Sequence, residues 1–352
     1  MKEYNVLDLF CGCGGLSKGF ENAGFNVILG VDNDGAALNT FQKNHNNSKV
    51  LNGDLSAPET FEIIENLIGN KTVDVIVGGP PCQGFSLSGP RNFEDGRNKL
   101  YLAMINTVER FYPKAFVVEN VPGMGTLYKG EVKAEIIKRF EAMGYKVNTE
   151  VMCAADYGVP QMRKRLIFVG IKEDIFIFPK PYRTPGNYVT CEDALSDLQD
   201  RENYLGDEED VYINPPLTDY QMLMRGTQEV LYNHVATNHT QLVKDVIALV
   251  PEGGNHKDLP EGVGTSRKFN EAWTRYHSKK PSKTIDTGHR NHFHYKYNRV
   301  PTIRENARLQ SFSDDFIFYG TRTQQNRQVG NAVPPLLGQA IAQQLLTYLN
   351  KE

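Results

Sequence analysis

The sequence predicts an α/β fold with a mainly parallel sheet covered by helices on both faces, plus a smaller, irregular second region. Three observations carry this. Short apolar runs alternate with helix-periodic stretches through the first half of the chain, the runs are apolar throughout, and glycines or acidic residues sit at their carboxyl ends. Strands that are apolar on both faces belong to sheets buried between helix layers. Ligands of such sheets sit at the carboxyl ends of the strands.

In chain order, the strand-like runs are NVLDLF (5–10), FNVILGVD (25–32), VDVIVGG (73–79), AFVVEN (115–120), YKVNTEVM (145–152) and RLIFVGI (165–171). One more strand is expected to end at Asp54, in NGDL. Helical periodicity marks residues 99–111 and 131–143, the latter stopping before Gly144 as a helix C-cap does. After Ile171 the alternation ceases, and PKPYRTPG (179–186) reads as a linker or turn cluster. Residues 192–210 then carry nine acidic side chains against Arg201, and are expected to face solvent. Residues 267–299 carry nine basic ones against Glu271 and Asp286, with four histidines interleaved with Tyr276, Phe293, Tyr295 and Tyr297. An amphipathic helix over 335–349 closes the chain and is expected to pack back onto the sheet. There are no internal repeats.

Composition narrows the class. A chain of 352 residues has ample core without covalent staples. The net charge of −3 means that affinity for nucleic acid must come from local patches. Five scattered cysteines argue against a disulfide framework and for a reducing compartment. Cys11-Gly-Cys13 has the wrong spacing for zinc, so no metal is expected. MKEYNVLDLF runs straight into a strand, so no leader is expected, and no apolar stretch reaches the roughly 18 residues of a membrane span. The expectation is a soluble, cytoplasmic protein.

DLFCGCGGLSKGF (8–20) reads as strand, glycine-rich turn and helix start, where backbone can approach a ligand and a helix N-terminus favours negative groups. Such turns also occur with no ligand. Asp32, roughly 20 residues on, and Asp54 end the next two strands, where a carboxylate commonly accepts from ribose hydroxyls; both also suit helix caps or turns. The turn lacks GxGxxG spacing, which favours a smaller adenosyl ligand over a dinucleotide.

VIVGGPPCQGFSLSGPR (75–91) ends a strand and delivers Cys82 between Pro80-Pro81 and Gly84. Prolines fix the direction of the loop, and a thiolate suits attack on an electron-poor ring carbon or a carbonyl. The plain alternative is a small residue in a tight turn. Glu119 ends the neighbouring strand, either as a helix cap or as a carboxyl able to exchange a proton with a substrate ring. Arg163 and Arg165, on one face of QMRKRLIFVG, suit phosphate or carbonyl binding, or else a solvated strand edge.

Taken together these segments resemble the DNA (cytosine-5)-methyltransferases, of the bacterial or phage modification type. DLFCGCGGLSKGF is similar to that family's first cofactor motif and GGPPCQGFS to its catalytic motif; ENV (119–121), QMRKR (161–165), RVPTIRENARLQSF (299–312) and QVGNAVPP (328–335) match four others in the family's order. Asn306 stands where a small residue is more usual. The resemblance implies a Rossmann-like domain dependent on S-adenosylmethionine, which leaves as S-adenosylhomocysteine. It places the catalytic domain at 1–178 plus 322–352 and a target recognition domain at 179–321, including the RVPTIRENARLQ segment. It implies that Cys82 attacks cytosine C6, that Glu119 contacts N3 and the exocyclic amine, that Arg165 holds O2 and helps activate Cys82, and that Arg163 lies toward cofactor and DNA backbone. It implies a cofactor pocket of Phe10, Gly12, Gly14, Asp32, Asn33, Asp54, Leu55, Pro80, Asn331 and Val333. DNA contacts would fall to Gln83, Ser86 and Ser88 on the catalytic loop and to Thr284, Arg290 and Lys296. The target cytosine would be flipped out of the duplex.

The partner implied is double-stranded DNA, acted on by a monomer needing no other protein, within a restriction-modification system and associated with the nucleoid through DNA. A tRNA cytosine-5 methyltransferase is the nearest alternative, a catalytically silent DNA-binding relative another. A dinucleotide oxidoreductase leaves GGPPCQGFS and GNAVPP without a reason.

Overall fold

Seven strands form the main sheet: β1 (Asn5–Leu9), β2 (Asn26–Asp32), β3 (Lys49–Asn52), β4 (Val75–Gly78), β5 (Ala115–Asn120), β6 (Lys146–Cys153) and β7 (Lys164–Ile171). They are joined by α1 (Gly15–Asn22), α2 (Gly35–Asn44), α3 (Glu59–Ile68), α4 (Lys99–Phe111) and α5 (Glu131–Ala142). The computed structural model describes residues 3–81, 99–263, 272–288 and 291–351. The chain divides into two units, the first made of Met1–Cys153, Lys164–Lys180 and Pro335–Glu352, the second of Ala154–Arg163 and Pro181–Pro334.

The sheet belongs to the first unit and runs β3-β2-β1-β4-β5-β7-β6. The β1–β2, β2–β3, β1–β4 and β4–β5 pairings are parallel; β7 lies antiparallel between β5 and β6. Strand order reverses between β1 and β4, which opens a crevice at their carboxyl ends. There β1 and β4 come close enough that a Cβ on Gly78 would stand 2.6 Å from the Leu9 carbonyl oxygen. The core is the apolar runs themselves: Leu7, Leu9, Val31, Ile76, Phe116, Val118 and Phe168 are all buried against α3, α4 and α5.

The closing helix, Pro335–Leu349, lies on α1 rather than directly on the sheet. Two glycines allow it. A Cβ on Gly19 would stand 2.5 Å from the Pro335 carbonyl oxygen, and one on Gly338 would stand 3.4 Å from Gly19 Cα. The Tyr4 hydroxyl then donates to the Leu349 carbonyl, fastening the helix end beside β1.

The second unit has no large sheet among its described residues. Glu209–Val211 pairs with Val230–Tyr232, and Thr274–Arg275 with His292–Phe293. Much of its interior is ionic. Arg299 forks onto Glu305 at 2.7 Å through both terminal nitrogens, and Arg308 bridges the buried Asp197 and Asp314. Bidentate pairs of this kind repay desolvation only when every donor finds a partner. Two readings of charge are corrected here. The acidic run does not simply face solvent: Asp197 is buried on Arg308, Asp193 completes the capping box of helix Cys191–Leu195, and Asp210 takes Arg201 at 2.6 Å. In the basic run, Arg275 and Arg299 are buried and bonded internally, Arg275 to the carbonyls of Val250, Ile247 and His294.

Candidate active site

The glycine turn after β1 is built from residues with unusual backbone. Phe10, Gly12 and Gly14 all have positive φ, at 58°, 53° and 94°. Gly14 then caps α1 with no side chain of its own, so no side-chain cap closes the start of that helix. Asp32 fixes the turn from β2: its Oδ2 accepts from the Gly12 amide at 2.8 Å and its Oδ1 from the Asp34 amide at 2.9 Å. Its carboxylate is thus oriented by two backbone donors, with lone pairs left for a ligand hydroxyl. Asn33, beside it, is exposed. Asp54 is exposed and its Oδ1 accepts from the Ser56 amide at 2.8 Å, a turn role, while Leu55 is buried.

Sequence reading passed over Asp8. It is buried in β1, and the Ser17 hydroxyl donates to it at 2.6 Å, tying β1 to α1 across the turn. Burial pushes its pKa up to about 7. A carboxylate inside the run NVLDLF was the available signal. Burial likewise pushes the Cys11 and Cys13 thiols up, Cys13 to about 12, so neither is an activated nucleophile.

Across the crevice, β4 leads through Gly79 to Pro80. Cys82, Gln83, Ser86 and Ser88 lie outside the described residues, as does Arg290. What the structure does give is the frame around the entry to that loop. Glu119, at the carboxyl end of β5, pairs with Arg165 of β7: Nε stands 2.6 Å from Oε1, and both side chains are 13% exposed. A Cβ on Gly79 would stand 3.0 Å from Glu119 Oε2, a tight contact that glycine avoids. Asn120 donates through Nδ2 to the Pro80 carbonyl at 2.9 Å and accepts from the Val121 amide at 2.9 Å. The segment ENV therefore does two jobs: one side chain presents a carboxylate, and the next pins the start of the loop.

Arg163 precedes β7 and belongs to the second unit. It is buried, and its guanidinium donates to the carbonyls of Ile285 at 3.3 Å and Gly330 at 2.9 Å. Gln161 works beside it, accepting from the Ile285 amide and donating to Gln310 Oε1. Thr284 is exposed and donates to the Met162 carbonyl; Lys296 is exposed. Asn331 is exposed and Val333 buried, both in the second unit.

Comparison with known proteins decides the class. The family model for C-5 cytosine-specific DNA methylase matches residues 4–347. The chain belongs to that family. It is 40% identical over 348 residues to the Type II methyltransferase M1.HphI of Haemophilus parahaemolyticus, covering 97% of this chain and 86% of that one. It is 39% identical to the Type II methyltransferase M.DdeI of Desulfomicrobium norvegicum, covering 98% and 89%. A crystal structure of a prophage-encoded protein assigned as a DNA modification methyltransferase (E. coli) matches with a TM-score of 0.81 at 30% identity, over 99% of both chains. This C-5 methylase thus has the fold its strands predicted, with the mainly parallel sheet of the class.

Proposed function

We propose that this methylase transfers a methyl group from S-adenosylmethionine to C5 of a specific cytosine in double-stranded DNA, within a restriction-modification system. The observation carrying the reading is the Glu119–Arg165 pair at the strand end beside the loop that Asn120 pins through Pro80. The glycine turn fits the cofactor: positive-φ backbone admits close approach, the N-terminus of α1 favours a negative group, and Asp32 is already oriented. By the family resemblance, Phe10, Gly12, Gly14, Asp32, Asn33, Asp54, Leu55, Pro80, Asn331 and Val333 are the residues that would hold it. When bound, S-adenosylmethionine supplies an electrophilic methyl group.

The chain's own residues do the rest. The Cys82 thiolate adds to C6 of the flipped cytosine, and the displaced electron pair moves into the ring toward N3 and C5. Glu119 supplies the proton at N3, with its carboxyl oriented by Arg165; Arg165 also faces O2. After C5 has taken the methyl group, the N3 proton returns to the Glu119 carboxylate, a base removes the C5 proton, and the electron pair of that C–H bond forms the C5–C6 double bond and expels the Cys82 thiolate from C6. Arg163 acts at one remove in this reading, as a positioning residue that binds Ile285 and Gly330. Residues 1–178 with 322–352 would form the catalytic part and 179–321 the target recognition part. Gln83, Ser86, Ser88, Thr284, Arg290 and Lys296 would meet DNA.

Tritiated S-adenosylmethionine, offered with duplex DNA and with tRNA, tests the reading: label should enter DNA alone. Label in tRNA alone, or in neither, overturns it. Cys82→Ala should abolish transfer and keep duplex binding, and retained transfer would remove Cys82 as nucleophile.

A further inference from the structure

The glycine turn rests on a residue that none of the motifs contains. His45, at the end of α2, is buried, with its ring stacked on Phe41 at 4.1 Å between centroids and 29° between planes. Nδ1 stands 2.9 Å from Oε1 of Glu21, on α1. The opposite side of the ring faces Gly14: a Cβ there would stand 2.1 Å from His45 Nε2 and 2.8 Å from both His45 Cδ2 and Phe41 Cδ2. Phe41 is wedged in turn beneath Gly30 of β2, where a Cβ would stand 2.7 Å from its ring. Two glycines, one in the turn and one in the next strand, thus leave room for a single stack of rings.

We propose that His45 is a positioning residue for the S-adenosylmethionine turn: its imidazole, seated on Phe41 beside Glu21, is the surface on which Gly14 lies. The proposal rests on the reading of that turn as the cofactor site. Gly14 has φ of 94°, a conformation that costs glycine little, and its amide donates to the Cys11 carbonyl at 2.9 Å within the turn. Asp32 anchors the turn at Gly12, two residues earlier. The stack fixes the other end, where the chain enters α1 and its amides take their direction. A planar ring in close packing specifies a position more sharply than a flexible chain.

The test uses the full chain and calorimetric binding of S-adenosylhomocysteine, with KM and kcat for transfer to duplex DNA and the thermal midpoint alongside. His45→Asn should weaken binding and raise KM for S-adenosylmethionine about tenfold, with kcat and KM for DNA within about twofold, since the loss is one of cofactor binding. His45→Phe, which keeps a ring on Phe41, should recover most of the affinity. Binding by H45N within twofold of wild type, or H45F no better than H45N, overturns the proposal. Should H45N fail to fold, Phe41→Leu, which keeps the imidazole and removes the ring beneath it, is read against the same twofold limit. A wild-type chain that binds no S-adenosylhomocysteine would instead overturn the cofactor reading itself.

Discussion

In the proposed mechanism Glu119 meets the substrate ring, and the 2.6 Å pair with Arg165 between β5 and β7 holds its carboxyl in one orientation. Replacing Glu119 by Gln keeps the shape and removes the proton donor, so kcat should fall by about 10²- to 10⁴-fold, the usual worth of a positioned acid. Single-turnover transfer to a cytosine-containing duplex measures it; an unchanged rate would remove Glu119 from proton transfer. Asn120 acts on geometry alone. Asn120→Ala loses the bond to the Pro80 carbonyl, worth about 1 kcal/mol, and should slow transfer about tenfold while leaving cofactor binding untouched. Equal losses in both would make it a general support of the fold. The family was the legible part of the sequence, because its segments keep their residue types and their order along the chain. Their supports were not. Asn120, Asp8 and His45 are chosen by what stands opposite them in space, and single-chain spacing does not record that.

Most strands were legible. β1, β2, β4, β5 and β7 have mainly apolar, buried interiors between two helix layers and were placed within a residue or two, and the half-exposed β6 was placed as closely. The destination of the closing helix was not legible, since an apolar stripe says that a partner exists without saying which. Its partner is α1, and the contact depends on the missing side chain at Gly19. Gly19→Ala would gain helix propensity on its own, yet should destabilise the chain by about 1–3 kcal/mol, because the added Cβ meets the Pro335 backbone at 2.5 Å. Urea denaturation checks the sign; a more stable G19A would mean that the two helices part at no cost.

At the scale of the whole chain, charge count misled where direction was needed. Nine basic residues in 267–299 read as a phosphate-binding strip, yet Arg275 and Arg299 serve the interior. That interior has a consequence for pH. Burial holds His234 down at about 4 and His294 at about 3, below the ordinary 6.5. The unfolded chain therefore takes up two protons that the folded chain refuses, and stability falls as pH drops through 6.5 toward 4. Asp8 opposes this: raised to about 7 from 3.8, it stabilises at low pH and loses that contribution as pH rises through 7. Asp8→Asn removes the opposing slope, so its thermal midpoint should drop more steeply than wild type between pH 7 and pH 5. Parallel curves would mean that Asp8 titrates normally. The antiparallel β7 has a further effect at this scale. It turns the connection from Cys153 to Lys164 into an insertion point, and the ten residues between carry Gln161 and Arg163 into bonds with Ile285, Gln310 and Gly330. A chimera that borrows residues 181–334 from a relative must therefore borrow 154–163 as well. A graft of the long segment alone would arrive with its fasteners left behind in the recipient.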